Sequence, residues 1–300
     1  MKRFVVKCVL WFVVCVTIAA LAYSIIDGLG YSDHAYRRLT SHGEKSLIVG
    51  TSRPAQAIQP SIIEDCLQNL PYAHPVYNFS FNVGESPFGE VYYKAIKKKL
   101  GRNEDCNSLF IIAVDPFALS VEQEQDKKHF REEGRTLDQI KWYYRPQLKY
   151  LFLHCKPREW VRMKHGCLHE DGWYEITPLS MDSDRVAENI QMKMTDYNSY
   201  RIVSSPYRLE WLERTITLFQ ENGTVFMCRV PVSSEMTTWE NQQWPSFDED
   251  MMALANKYGI RYFAFADQRN AYRTTDGNHL YKEDGAIFTK NLCDSIKYAF

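Results

Sequence analysis

Five short runs of consecutive apolar residues, set between stretches of helical period, leave this chain few ways to fold. The runs are SLIVG (46–50), VYNFS (76–80), SLFIIAV (108–114), TVFMCRV (224–230) and IRYFAF (260–265). They are rich in Val, Ile and Phe and barely alternate with polar residues. A strand solvated on one face alternates, whereas a strand covered on both faces does not. The runs therefore predict parallel strands buried between two layers of helix.

Helical patterns lie at 60–70, 86–100, 207–223, 247–259 and 282–300. Ser86 reads as an N-cap with Pro87 at N1, and Gly223 and Gly259 read as stop signals. This alternation predicts a three-layer α/β fold with a five-stranded, mostly parallel sheet and right-handed crossovers. Residues 116–206 break the rhythm. They hold Trp142, Tyr143, Tyr144, Trp160, Trp173 and Tyr174 among many charges. They read as a partly helical insertion after the third strand, too long and too aromatic for plain loop.

Residues 4–26, FVVKCVLWFVVCVTIAALAYSII, carry Lys7 as their only charge. That is near the ~20 residues needed to span a bilayer. Lys2, Arg3 and Lys7 on its N-terminal side place the N-terminus in the cytoplasm by the positive-inside rule. Ala20-Leu21-Ala22 resembles a signal-peptidase site, but the apolar run continues to Ile26, which favours a retained anchor. Either reading exports residues 27–300 as the main domain, periplasmic or at the cell surface. A net charge of −1 offers no basic excess for nucleic acid.

Export changes how the cysteines read. Cys66 near the end of the first helix and Cys106 in the loop entering the third strand both fall at the amino edge of the sheet, so a disulfide between them is expected. Cys228, mid-strand, reads as a buried free thiol. His154, Cys155, His165, Cys167 and His169 include zinc-ligand types, but their spacing matches no standard zinc pattern. A Cys155–Cys167 disulfide or plain surface histidines are the favoured reading there.

Ligands of open parallel sheets bind beyond the carboxyl ends of the strands. Here those ends carry Gly50-Thr51-Ser52, Asn78 with Asn82 and Gly84, Asp115-Pro116, Arg229-Val230-Pro231, and, after a loop, Asp276-Gly277-Asn278-His279. An Asp three residues before a His lets one loop carry a general base and the carboxylate that orients it. Ser52 is then the candidate partner across the sheet edge. Asp115 also reads as a turn cap, and Arg229 as its ion-pair partner or as a site for an anionic group.

The stretches IVGTSRPAQAIQP, YNFSFNVGESP, FIIAVDPF and DGNHLYKEDGA resemble the SGNH (GDSL-type) hydrolases, over residues 45–115 and 207–300. They look most like the membrane-anchored, extracytoplasmic branch, which includes polysaccharide O-acetylation and teichoic-acid D-alanylation proteins. The resemblance implies a flavodoxin-like sheet, Ser52 as nucleophile, His279 as general base and Asp276 as its orienter. Asn78, Asn82 and Gly84 would serve the oxyanion or substrate, with Asp115 and Arg229 nearby. It implies no metal and no organic cofactor. Its substrate would be an acylated glycan or small ester, and a membrane acyltransferase is a possible partner. Two departures stand out. Thr51 replaces the usual Asp of the first block, and Asp115 stands where the third block usually supplies Asn. These departures leave a catalytically weak scaffold as the alternative.

Overall fold

A computed structural model describes residues 2–28, 34–41, 44–82, 84, 86, 88–100, 107–122, 166–177, 180–265 and 271–299. At its centre lies a five-stranded sheet. Its strands are β1 (Ser46–Val49), β2 (Val76–Asn78), β3 (Ser108–Ala113), β8 (Gly223–Arg229) and β9 (Arg261–Ala264), in the order β2-β1-β3-β8-β9. Every pairing in it is parallel. Each of the five apolar runs became one strand.

Successive side chains of a strand point to opposite faces, and both faces are dry. Leu47, Val49, Phe110, Ile112, Val225 and Met227 enter one core, while Ile48, Leu109, Ile111, Phe226 and Cys228 enter the other. The first core is covered by α2 (His34–Thr40), α5 (Glu90–Leu100), α7 (Pro206–Gln220) and α9 (Phe247–Tyr258). The second is covered by α4 (Pro60–Leu67) and α10 (Lys282–Ala299), with α3 (Ser52–Ala57) contributing Ala57. This is the three-layer arrangement that the unalternating runs predict.

Two helix boundaries differ from the sequence reading. Ser86 does not cap α5, which begins at Glu90. Its buried hydroxyl instead donates to Gly50 O at 2.8 Å and fastens the loop after β2 to the loop after β1. Gly223 does not stop α7, which ends at Gln220. It opens β8, where a Cβ would lie 2.0 Å from the Ser108 carbonyl oxygen, so glycine is what lets β8 lie against β3 there. Gly259 does close α9, in the left-handed conformation at φ 64°.

Within 116–206, β4 (Ser120–Glu122) pairs antiparallel with β7 (Ile202–Ser204). Between them lie the hairpin β5 (Gly166–Leu168) and β6 (Tyr174–Ile176), then α6 (Ser183–Asn198). The hairpin leans on the edge strand, for Asn78 N–H donates to Asp171 O at 2.9 Å. Trp173 Nε1–H donates to Gln56 O at 2.8 Å, and its ring stacks on His169. Trp142, Tyr143, Tyr144 and Trp160 lie outside the described residues. α8 (Ser234–Gln243) follows β8.

The expected Cys66–Cys106 and Cys155–Cys167 disulfides each involve a cysteine outside the described residues. Cys106, Cys155 and the histidines at 154 and 165 lie outside the described residues. Cys66 is a free thiol. α4 packs on α10, so Cys66 turns toward Cys293 of the last helix rather than toward the loop before β3. Cys228 is buried and free, with its thiol pushed up to about 12 by burial. Among the described residues no group of His, Cys, Asp and Glu could hold a metal ion.

The N-terminal helix α1 (Lys2–Gly28) is long and apolar enough over Lys2–Ala22 to cross a membrane, and none of that stretch is buried in the fold. α2 then enters the core through Tyr36 and Leu39. Arg37 donates to Leu168 O, and Arg38 donates to Gly172 O at 2.7 Å, which ties α2 to the hairpin. Buried Lys99 donates to Arg38 O and Ser41 O and pairs with Glu44.

Candidate active site

β1 ends at Gly50, whose φ of 151° a side chain rarely adopts. A Cβ there would sit 2.6 Å from Pro54 Cγ and 2.7 Å from Ala113 O. Glycine thus permits the sharp turn that starts α3 directly after the strand. Gly50→Ala is expected to lower stability by about 2–3 kcal/mol, through φ strain and overpacking together. The urea midpoint measures it, with the slope unchanged.

That turn places Ser52 in the first turn of α3, half-exposed at the sheet edge. Its Oγ lies 2.8 Å from His279 Nε2. His279 Nδ1 lies 3.0 Å from Asp276 Oδ2 and 3.1 Å from Oδ1. With Nδ1–H donated to the carboxylate, Nε2 is left to accept the serine hydroxyl. Serine, imidazole and carboxylate thus stand in one hydrogen-bonded series, drawn from residues 224 or more apart in sequence on one side and three apart on the other.

The loop carrying Asp276 and His279 is tied down locally. Thr274 and Leu280 form an antiparallel bridge, and Gly277 turns the chain at φ 81°. Gly277 O accepts from Ser233 N–H at the start of α8. The Asp276 carboxylate also accepts the backbone N–H groups of Asn278 and His279, at 3.0 and 2.9 Å. Lys193 of α6 reaches the same carboxylate at 3.2 Å. Burial alone would raise the Asp276 carboxyl. The His279 ring, Lys193 and the Asn278 N–H outweigh it and hold the group well below the usual carboxylate range.

Behind the series runs a chain of charges, buried except for Asp248 at its far end. Arg53, next to Ser52, donates from Nε and Nη2 to Asn278 Oδ1 at 2.9 and 2.6 Å, and its Nη2 pairs with Glu240 at 2.5 Å. Glu240 pairs in turn with Arg229 at 2.7 Å, and Arg229 with Asp248 at 2.6 Å. Burial works against the charge on Glu240, and the two arginines overcome it and lower its pKa. One guanidinium therefore links the residue after Ser52 to the residue before His279.

The other sequence candidates fall as follows. Both N–H groups of the Asn78 amide donate to backbone, to Pro54 O and Ile58 O at 2.8 Å each, so they fix α3 and leave no donor for Ser52. Asp115 accepts the Thr51 hydroxyl and the Ala118 N–H, both at 2.8 Å, which makes it a turn cap under the loop that carries Ser52. Arg229 pairs with Glu240 and Asp248 rather than with Asp115. Asn82 is exposed and Gly84 half-buried in the loop that Ser86 fastens to Gly50. A cleft of about 370 Å³ opens between α6 and α8, with Met194, Asn198, Ser234 and Glu235 in its lining. It lies beside the Asp276 loop, since Lys193 and Ser233 are the chain neighbours of Met194 and Ser234.

Sequence reading passed over Arg53, Asn278, Glu240 and Lys193. The first two stand next to named site residues, and that adjacency was a usable signal. Glu240 lies in SEMTTWENQQ, where no apolar stripe announces a helix. Lys193 lies in a stretch whose pattern says nothing about what it faces.

No protein-family model matches this sequence, and no curated protein matches it.

Proposed function

We propose that this chain is a membrane-anchored, extracytoplasmic serine esterase or O-acyltransferase of SGNH type, acting on ester-linked acyl groups of cell-envelope glycans or similar esters. In this reading residues 1–26 anchor residues 27–300 to the cytoplasmic membrane. The observation that carries it is the Ser52–His279–Asp276 hydrogen-bonded series at the carboxyl edge of the sheet.

Ser52 Oγ attacks the acyl carbonyl while His279 Nε2 takes its proton. Asp276 holds the imidazole tautomer and faces the imidazolium that forms. The first-turn N–H of Ser52 is among the donors that a helix leaves without an internal partner, and it faces the developing oxyanion with the N–H of Gly84. His279 then protonates the departing alcohol, and the acyl group remains on Ser52. Water completes hydrolysis, and an acceptor hydroxyl completes transfer. The route uses no metal and no organic cofactor.

A second reading rests on one observation. With the Asn78 amide engaged and Asp115 at the usual asparagine position, no side-chain amide from those two positions serves the oxyanion. A catalytically weak scaffold that binds glycan or a membrane acyltransferase would fit that. A fluorophosphonate decides. The esterase reading expects one equivalent of probe on the purified chain and none on Ser52→Ala. Absence of uptake by the unaltered chain, or equal uptake by the variant, leaves the scaffold.

A further inference from the structure

The path by which the chain enters the fold bears on which way the site faces. α2 ends at the amino edge of the sheet, for Ser41 and Glu44 meet Lys99 in the last turn of α5, and Lys45 N–H donates to Pro75 O just before β2. Earlier in the helix, Arg38 reaches the other way. Its guanidinium lies 5.4 Å from the Phe81 ring centroid and donates to Gly172 O. Phe81 follows β2, and its N–H donates to Gly50 O, two residues before Ser52. α2 therefore runs antiparallel to β1, and its first residue, His34, lies a further turn toward the carboxyl edge.

The apolar stretch of α1 ends at Ala22 and the helix at Gly28. Those six helical residues rise about 9 Å. The steps from Gly28 to His34 add at most about 20 Å, even fully extended. The tether thus reaches about 30 Å from the membrane exit. A compact domain of this size has a radius of gyration of about 18 Å and hence a diameter of about 45–50 Å. With its attachment near the carboxyl edge, the domain cannot turn its opposite pole to the bilayer within that reach.

We infer that the carboxyl edge of the sheet, with Ser52, faces the bilayer and takes its acyl group from a lipid-anchored ester at the membrane surface. The chemistry rests on the esterase reading above; the orientation rests on the anchor of that reading, the path of α2 and the reach of the tether, and not on the chemistry. The acyl carbon–oxygen bond breaks, the lipid-anchored alcohol leaves with the proton from His279, and water or an acceptor hydroxyl releases the acyl group from Ser52.

The test uses the full chain in phosphatidylcholine vesicles. A fluorescent amino acid is placed at position Asn82, exposed beyond β2, or at position Glu221, exposed just before β8. Energy transfer to rhodamine-headgroup lipid is then measured. Stronger transfer from position 82 is expected; equal or stronger transfer from position 221 overturns the orientation. In a second arm a flexible Gly/Ser insert of about 30 residues, with a mean span of about 30 Å, is placed between Gly28 and His34. Turnover of an acetyl ester on a dialkyl-lipid anchor is expected to fall about tenfold, while a water-soluble acetyl ester is cleaved as before. Unchanged turnover of the anchored ester overturns the substrate assignment. Failure to cleave either ester removes the esterase reading and the substrate class with it, and the energy-transfer arm still decides the orientation.

Discussion

Replacing His279 with alanine is expected to slow acylation of Ser52 by about 10³–10⁴-fold, because the hydroxyl loses the base that lies 2.8 Å from it. The rate of fluorophosphonate uptake and the kcat of ester cleavage should fall together, with KM nearly unchanged. Asp276→Asn should be almost as damaging, at up to about 10⁴-fold. An amide in that place can donate to Nδ1, and the ring would then carry its proton on Nε2, facing Ser52. The two variants separate in acid. The Asp276 carboxyl holds its proton more weakly in the folded chain than in the unfolded one. Its contribution to stability is therefore complete above about pH 4 and is lost as pH falls through the lower folded value. The unaltered chain and His279→Ala should lose stability below pH 4, though His279→Ala less, since the imidazole is one cause of the shift. Asp276→Asn should lack that component. Urea midpoints from pH 6 downward measure this, and an acid limb identical in all three chains would refute the placement of Asp276.

The second large effect lies behind the site. Glu240→Ala is expected to cost about 3–5 kcal/mol, because it leaves the buried guanidinium groups of Arg53 and Arg229 without their shared carboxylate. Arg229 keeps Asp248, so Arg53 is the charge left most exposed to the loss. Replacing both members, as Arg53→Met with Glu240→Leu, should recover part of the stability, since well-packed apolar groups often substitute for a buried ion pair. It should not recover the acylation rate, because Asn278 would still lack the guanidinium that holds it beside His279. Full recovery of both would mean that the charge chain stabilises the fold without shaping the site.

How much of this was legible depended on whether a residue's role was set by its own neighbourhood. The strands were legible because an apolar run buried on both faces cannot be much else. The pairing of Ser52 with His279 could be anticipated because parallel topology brings every strand's carboxyl end to one edge. Asn78 was misplaced for a physical reason. An asparagine at a strand end looks available, yet its amide is the group that satisfies two carbonyls where α3 ends. Arg229 was read one partner wrong because Glu240 sits in a helix with no apolar stripe to reveal it. Cys66 was assigned from its place along the chain, whereas the packing of α4 on α10 fixed which way its thiol turns.

The ribbon of β4 and β7 bears on how fast the sheet can assemble. β3 and β8 form the longest pairing of the sheet, yet Ser108 and Gly223 are about 115 residues apart along the chain. Contacts of such separation slow folding, and until they form, β3 presents a bare apolar edge. Ser120 and Ser204 meet across the ribbon. Once they do, the path from Ser108 to Gly223 through the ribbon shortens to about 30 residues, which lowers the remaining closure cost by about 1 kcal/mol. A ribbon of three residues a side thus acts as a kinetic clasp. A proline at Val203, which faces outward on β7, should slow the closure of β3 on β8 several-fold more than it lowers the final stability.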